Sequence, residues 1–228
     1  MLPGRPDMDR YHLLLLPLLA CLTMGLGYGV LSLPDQAEGL QKIVAGKMEV
    51  SGVSNPVTAV LLNFRGYDTL LEMVVLFLAL LGVWSLDGAT LRRESKPGYV
   101  FDSSTRLLVP VLILVAGYLL WVGAHAPGGA FQAGSVLGAA GVLLLLTGWR
   151  LRPSLAALPL RLTLVAGAGT FLAIGVFTLL SEGLVLQYPR KQAGLLILVI
   201  EAAATLSIGV TLAALFLGNR PPDNKDLT

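Results

Sequence analysis

Residues 54–86 read SNPVTAVLLNFRGYDTLLEMVVLFLALLGVWSL and combine a capped amphipathic turn, a glycine and a long apolar run. Asn55 suits the N-cap of a helix and Pro56 its first position, where the missing N–H costs nothing. The next apolar side chains recur at the spacing of one helical stripe: Val57, Val60, Leu61 and Phe64. The pattern predicts a short amphipathic interfacial helix, a joint at Gly66 and a transmembrane helix over 70–86.

The composition is that of an integral membrane protein. The chain is 55% hydrophobic and 13% charged, with a mean hydropathy of +0.76, whereas charged residues make up about 25% of a soluble domain. The net charge of +2 is small and spread over loops, so nucleic acid is not expected as a partner. The expected surroundings of the chain are the lipid bilayer. The single cysteine, Cys21, cannot form an intrachain disulfide.

Six apolar runs predict six transmembrane helices, since a spanning helix needs about 20 apolar residues. They lie at about 11–33, 70–86, 107–124, 130–149, 162–180 and 193–218, and 34–53 is the longest hydrophilic loop. The first run is too long for the h-region of a signal peptide, so we expect it to be retained. The predicted fold class is an all-α integral membrane protein with about six transmembrane helices plus the interfacial helix.

The lysines and arginines predict the orientation of these spans. Six spans place both termini on one side, and eleven of the sixteen cations share that side. They are Arg5, Arg10, Arg92, Arg93, Lys96, Arg106, Arg150, Arg152, Arg161, Arg220 and Lys225. Because cations are retained in cytoplasmic loops, we predict an N-in, C-in multi-pass protein of the cell inner (cytoplasmic) membrane.

Glu72 lies within the second apolar run, where an ionised carboxylate costs at least about 2.5 kcal/mol. Arg65, Asp68 and Glu72 are spaced i, i+3, i+7 and share one face if the helix continues through Gly66. Arg65 could then pair with Asp68 at the mouth of a path for a proton or cation, with Glu72 deeper. The alternative is a structural carboxylate one turn below the headgroups, held by a neighbouring helix.

Two further acids belong to the last two apolar runs. Glu201 lies about two turns inside the sixth run, and both a conducting role and a structural hydrogen-bonding role stay open. Glu182 ends the fifth run, where solvation at the membrane surface accounts for it.

Residues 125–134, HAPGGAFQAG, interrupt the helical pattern between two apolar runs. Pro127, Gly128 and Gly129 break the helix, and backbone left unpaired at membrane depth must line a cavity or be buried. A histidine such as His125 suits a proton relay, although a tight interfacial loop is the plain alternative. No phosphate-binding, metal-ligand, nucleophile or haem motif occurs in the sequence, so we expect neither an enzyme nor a cofactor.

The first of these segments, NPVTAVLLNFRGYDTLLE, resembles an element near the C-terminal end of the A subunit of Mrp-type Na⁺/H⁺ antiporters and in the E subunit of membrane-bound hydrogenases. The 125–134 segment is similar to the histidine-led PGGGFxGG element of the Mrp B subunit. The resemblance implies an E-like segment over 1–106 fused to an MnhB/MrpB-like domain over 107–228.

This resemblance implies an accessory membrane subunit of a multisubunit antiporter that contributes to H⁺/Na⁺ translocation, with other membrane subunits as partners. It implies that three residues lie in the ion path: Arg65, Asp68 and Glu72. It also implies that four residues form the loop of the B-like domain: His125, Pro127, Gly128 and Gly129. The sequence departs from the family at Asn63, where aspartate is usual, and at Ala130 and Ala133, which replace glycines. The alternative is a scaffold subunit of an antiporter-derived complex (hydrogenase-like, complex I-like or substrate-uptake) that moves no ion.

Overall fold

The structure is a computed structural model that describes residues 6–33, 40–86, 98–149 and 158–218. These residues form eight α-helices and one π-helical turn. In chain order they are α1 (Pro6–Leu31), α2 (Gln41–Ser51), α3 (Pro56–Ala59), the π turn (Val60–Phe64), α4 (Gly66–Ser85), α5 (Tyr99–Val122), α6 (Ala130–Leu146), α7 (Leu158–Glu182) and α8 (Ala193–Leu217). The helical architecture confirms the predicted fold class.

Among the described residues four helices are long and apolar enough to cross a membrane: α4, α5, α7 and α8. Two shorter apolar segments accompany them, Leu16–Leu31 within α1 and the whole of α6. Each predicted apolar run therefore coincides with a helix. Most of the cations behind the predicted orientation lie outside the described residues, so the N-in, C-in topology stays a prediction: Arg5, Arg92, Arg93, Lys96, Arg150, Arg152, Arg220 and Lys225.

The chain divides into two compact units, Met1–Lys42 and Ile43–Thr228. The first consists mainly of α1, an apolar helix that contains Pro17 and an exposed Cys21. The second contains the remaining spanning helices. The expected domain boundary after residue 106 stays a prediction.

Helix α8 is the centre of the second unit and packs against α4, α5, α6 and α7. Glycines on the neighbouring helices allow the close approach: a Cβ added at Gly134 of α6 would lie 2.8 Å from Ile208, and one at Gly167 of α7 would lie 2.9 Å from Ser207. Membrane helices associate through such small-residue contacts because their apolar surfaces gain little from leaving lipid.

One expected loop is partly helical. The polarity of the segment 34–53 predicts a loop, but its described part contains α2, with the sequence QKIVAGKMEVS. Lysine, glutamine and glutamate are polar, yet they favour helices, as methionine and alanine do. Polarity alone therefore gives the wrong expectation.

The joint between the interfacial helix and the second span lies one residue before the expected Gly66. The chain leaves the helical conformation at Arg65, with φ −129° and ψ 35°, directly after the π turn. Gly66 instead begins α4, where it is buried and a Cβ would lie 2.7 Å from Leu186. The helix therefore does not continue from Arg65 into α4, and the condition for a single Arg65–Asp68–Glu72 face is not met.

The break leaves backbone carbonyls without helical partners, and side-chain hydroxyls bind two of them. The Thr69 hydroxyl donates to the Leu61 carbonyl at 2.6 Å, and the Tyr188 hydroxyl donates to the Leu62 carbonyl at 2.8 Å. Tyr188 lies 126 residues away in the sequence, in the turn before α8. The π turn is thus a supported element of the fold, since buried carbonyls are costly when unpaired.

Candidate functional site

Glu201 of α8 is the only carboxylate, ammonium or guanidinium residue that is buried in the described part of the chain, with 3% of its surface exposed. The backbone N–H of Ala130 lies within hydrogen-bonding reach of its carboxyl group. Its other oxygen, Oε2, is buried and has no hydrogen-bond partner among the described residues. The acid therefore meets the N-terminus of α6 with one of its two oxygens.

The N-terminus of α6 is a suitable place for a carboxylate. The first N–H groups of a helix have no partner within it, and the helix dipole puts partial positive charge there. Helical bonding in α6 begins with Ala133, whose N–H donates to the Gly129 carbonyl at 3.0 Å. The acid on α8 thus supplies an acceptor that the sequence of α6 does not provide.

Gly129 makes this contact possible. Its φ of +105° lies in the region that favours glycine, and a Cβ there would lie 2.7 Å from Oε1 of Glu201. The sequence pointed to both residues separately, and the structure brings them together. The glycine that ends the loop is required by the acid beside it.

The loop 123–129 between α5 and α6 is compact. Gly129 N–H donates to the Leu119 carbonyl at 2.9 Å, and Ala126 N–H donates to the Val122 carbonyl at 2.8 Å. His125 and Pro127 are exposed, whereas Gly129 is buried. The backbone of the broken segment is therefore paired inside the protein, as a non-helical segment between spans requires.

Asn55 also holds this loop, through its side-chain amide. Its side-chain Nδ2 donates to the carbonyls of Gly123, at 3.0 Å, and Ala126, at 2.7 Å. Its Oδ1 accepts from the N–H of Val57 at 3.0 Å, which confirms the predicted N-cap of α3. One buried side chain therefore starts α3 and binds the end of α5.

Two neighbours of Asn55 bind the same loop, and we call Ser54, Asn55 and Thr58 the clasp. The Thr58 hydroxyl donates to the Gly123 carbonyl at 2.6 Å, and the backbone N–H groups of Ser54 and Asn55 both lie 3.1 Å from the Ala124 carbonyl. The Ser54 hydroxyl also lies 2.9 Å from Nδ1 of His125. His125 thus lies beside the clasp, on the exposed side of the loop.

Glu72 has a different environment. It is exposed on α4, and it lines an open groove of about 560 Å³ between α4, α6 and α8. The other residues of this Glu72 groove are Asp68, Leu71, Val75, Leu76, Phe131, Ser135, Ile208 and Leu212. Glu72 makes no hydrogen bond or ion pair with any described residue. Glu72 is thus an acid of a spanning helix that is exposed at the surface of the described chain.

Arg65 and Asp68 form an ion pair, although no continuous helix joins them. About half of each side chain is exposed. Asp68 also lines the Glu72 groove, so the two acids of α4 share one surface although Arg65 precedes the helix. No described group of three or more histidine, cysteine, aspartate or glutamate side chains is placed to hold a metal ion.

No pattern in the sequence indicates the contacts made by Thr58 and Tyr188. Burial raises the pKa of the Tyr188 phenol, so the hydroxyl stays neutral and keeps donating to the π turn. A tyrosine in a connecting turn carries no sequence signal for a partner so far away. The apolar runs on both sides show only that the turn lies between two spans.

The sequence of the second unit matches a known family. Residues 100–219 match the family described as "Domain related to MnhB subunit of Na+/H+ antiporter". The B subunit of the Na(+)/H(+) antiporter of Bacillus subtilis (strain 168) is 36% identical over 75 residues, which cover 33% of this chain and 52% of that protein. The matched segment thus covers about half the length of that relative.

Two solved structures have similar folds. One, at a TM-score of 0.66 and 24% identity, belongs to the membrane-bound sulfane sulfur reductase (MBS), an archaeal respiratory membrane complex; the match covers 90% of this chain and 96% of that one. The other, at a TM-score of 0.64 and 21% identity, belongs to the Mrp complex from Dietzia sp. DQ12-45-1b and covers 98% of this chain and 27% of that one. The second match places nearly the whole fold within a longer chain.

Proposed function

This chain belongs to the family of domains related to the MnhB subunit of Na⁺/H⁺ antiporters, and we propose that it is an accessory membrane subunit that contributes to H⁺ or Na⁺ translocation in a multisubunit antiporter-type complex. The match to an antiporter B subunit and the fold likeness to chains of two multisubunit membrane complexes support this function. They also favour a transporter subunit over an enzyme.

The Glu72 groove is the observation that carries the proposal. A carboxylate on a spanning helix is costly unless it faces protein or water, and Glu72 has no polar partner within the described chain. A helix of another subunit that fills the groove would supply that partner. The acid would then lie at a subunit interface, where an ion can pass between the two proteins.

The remaining site residues have proposed places along the same route. Arg65 and Asp68 form its mouth, since their ion pair lies near the groove and is half exposed. Glu201 is a second acid, on α8, which also lines the groove, and His125 is an exposed residue of the loop that ends beside it. Pro127, Gly128 and Gly129 shape that loop.

The fusion of an E-like segment to an MnhB-like domain is also a proposal. It is supported by the family match beginning at residue 100 and by the likeness of nearly the whole chain to part of one longer chain of the Mrp complex. We further propose that the complex lies in the cell inner membrane, with both termini of this chain in the cytoplasm.

The test is H⁺ flux in inverted vesicles that contain the assembled complex. We expect Glu72→Gln to reduce cation-dependent H⁺ flux to near background with normal assembly. Glu182→Gln is the matched control, because it removes a carboxylate from the exposed end of α7, outside the groove. Full flux in an assembled Glu72→Gln complex would remove this acid from the ion path.

A scaffold subunit that moves no ion is the second candidate, in an antiporter-derived complex of another kind, and the fold likeness to almost the full length of a chain of MBS supports such a setting. In that case Glu72→Gln would leave flux unchanged or would detach partner subunits. Mild detergent extraction distinguishes the settings, because a redox-driven or uptake complex would retain a cofactor-bearing or carbon-handling subunit.

A further inference from the structure

The loop 123–129 is held between two parts of the chain. The clasp binds its carbonyl groups, and Glu201 contacts Gly129 at its end and the first amide of α6. The clasp directly precedes the π turn and α4, which carries Glu72. This loop therefore lies between the two acid-bearing regions.

Asn55 is the residue on which this arrangement depends. It is 5% exposed, and its side-chain amide donates to Gly123 and Ala126, near the start and in the middle of the loop. Only a side chain that is both short and a double donor can hold two carbonyls in this way, while its oxygen accepts from the backbone. The N-cap function alone needs the oxygen but not the two donors.

A short chain of contacts links Asn55 to the acid. Asn55 binds the Ala126 carbonyl at 2.7 Å, three residues before Gly129. Gly129 and Ala130 then meet Glu201. A displaced loop would move both contacts of the acid together, because they belong to adjacent residues.

We propose that Asn55 is a positioning residue for Glu201: it fixes the loop so that Gly129 and the N-terminus of α6 stay against the acid. The effect on transport rests on the proposed function, whereas the effect on the loop does not. Two measurements therefore test the two parts separately.

The variants are chosen to separate positioning from helix capping. Asn55→Ser retains a good N-cap for α3 but cannot reach both carbonyls. Asn55→Asp retains shape and cap but places oxygens against the carbonyls of Gly123 and Ala126. Asn63→Asp is the matched control, because it makes the same chemical change in the same segment, where the amide donates only once, to Ser51 at 3.3 Å.

The first measurement is the rate at which a maleimide labels Ala126→Cys in a Cys21→Ser background of the full-length chain. We expect the rate to increase about tenfold or more in Asn55→Ser, the factor that corresponds to losing one buried hydrogen bond, and further in Asn55→Asp. The control should label at the parent rate. An unchanged labelling rate in a folded Asn55→Ser variant overturns the proposal. If Asn55→Asp does not fold, the result for Asn55→Ser is sufficient for the test.

The second measurement is a double-mutant cycle of flux in the assembled complex. Because Asn55 acts through Glu201, adding Asn55→Ser to Glu201→Gln should reduce flux no further than Glu201→Gln alone. If the double variant instead shows the product of the two separate fractional losses of flux, the proposal is overturned. If Glu201→Gln alone leaves flux unchanged, the transport role of this acid fails, and the labelling rates still decide whether Asn55 positions the loop.

Discussion

Glu201 and Glu72 are both acids in spanning helices, but the chain treats them in opposite ways. Glu201 is buried in the packing of α8 and reaches the N-terminus of α6. Glu72 is exposed in an open groove without a polar partner in the described chain. One acid has an environment built by this protein, and the other has an environment that we propose a neighbour completes.

This difference follows from what surrounds each acid in the folded chain. A spanning helix tolerates a carboxylate only where protein or water surrounds it. When the chain itself supplies the surroundings, the acid belongs to its internal structure. When it does not, as at Glu72, we propose that another subunit supplies the surroundings.

The largest expected effect comes from Gly129→Ala. The left-handed φ and the approach to Glu201 should together lower the free energy of unfolding by about 3 kcal/mol. Gly148→Ala is the matched control, since Gly148 has φ +84° but no atom within 4 Å of an added Cβ. It should cost about 1 kcal/mol. Reversible unfolding measures both variants. Equal losses of unfolding free energy in Gly129→Ala and Gly148→Ala would show that the contact between Gly129 and Glu201 is not tight.

Replacing the acids by leucine sharpens the comparison directly. Glu201→Leu should lower the unfolding free energy of the isolated chain by about 2 kcal/mol, because the N-terminus of α6 loses its acceptor. Glu72→Leu should leave it unchanged or raise it, because this acid has no partner there. Unfolding in detergent checks both variants. A larger loss for Glu72→Leu would reverse the assignment of internal and external acid.

Tyr188→Phe tests the support of the break before α4. Losing the hydrogen bond to the Leu62 carbonyl should cost about 1 to 2 kcal/mol at neutral pH. Because burial raises the pKa of this phenol, the wild-type advantage is complete below the unfolded-state pKa of about 10 and declines at higher pH. Unfolding measured at several pH values tests this, and an advantage that grows above pH 10 would contradict it.

The smallest effect should come from the ion pair at the start of α5. Asp102 and Arg106 lie 2.9 Å apart, and 79% of the arginine side chain is exposed. Asp102→Asn should therefore change the unfolding free energy by less than about 0.5 kcal/mol. The change in unfolding free energy of Asp102→Asn is therefore the reference value for removing a solvent-exposed charge. A loss as large as that of Glu201→Leu would indicate that the two environments differ less than the structure implies.

Local patterns in the sequence predicted the local features of the fold. The apolar runs predicted the spanning helices, and Asn55 followed by proline predicted the start of α3, because both depend on neighbouring residues. The polar composition of 34–53 concealed α2, because lysine, glutamine and glutamate are polar and yet favour a helix.

The candidate site was only partly predictable, because its contacts join distant residues. Gly129 and Glu201 were both singled out, yet nothing in either motif indicates that they touch across 72 residues. The bonds from Asn55 to the loop and from Tyr188 to the π turn are of the same kind. Pairing across helices depends on three-dimensional packing, which periodicity within one helix does not encode.

The most direct test of a completed Glu72 environment is photo-crosslinking from the Glu72 groove. A photoreactive phenylalanine analogue replaces Val75, an exposed residue of the groove, in native membranes. We predict a covalent adduct between this chain and another membrane protein of the complex that co-purifies with it, and loss of that adduct when the chain is expressed alone. Adducts with lipid only, in membranes that contain the assembled complex, would contradict the claim that a neighbouring subunit completes the environment of Glu72.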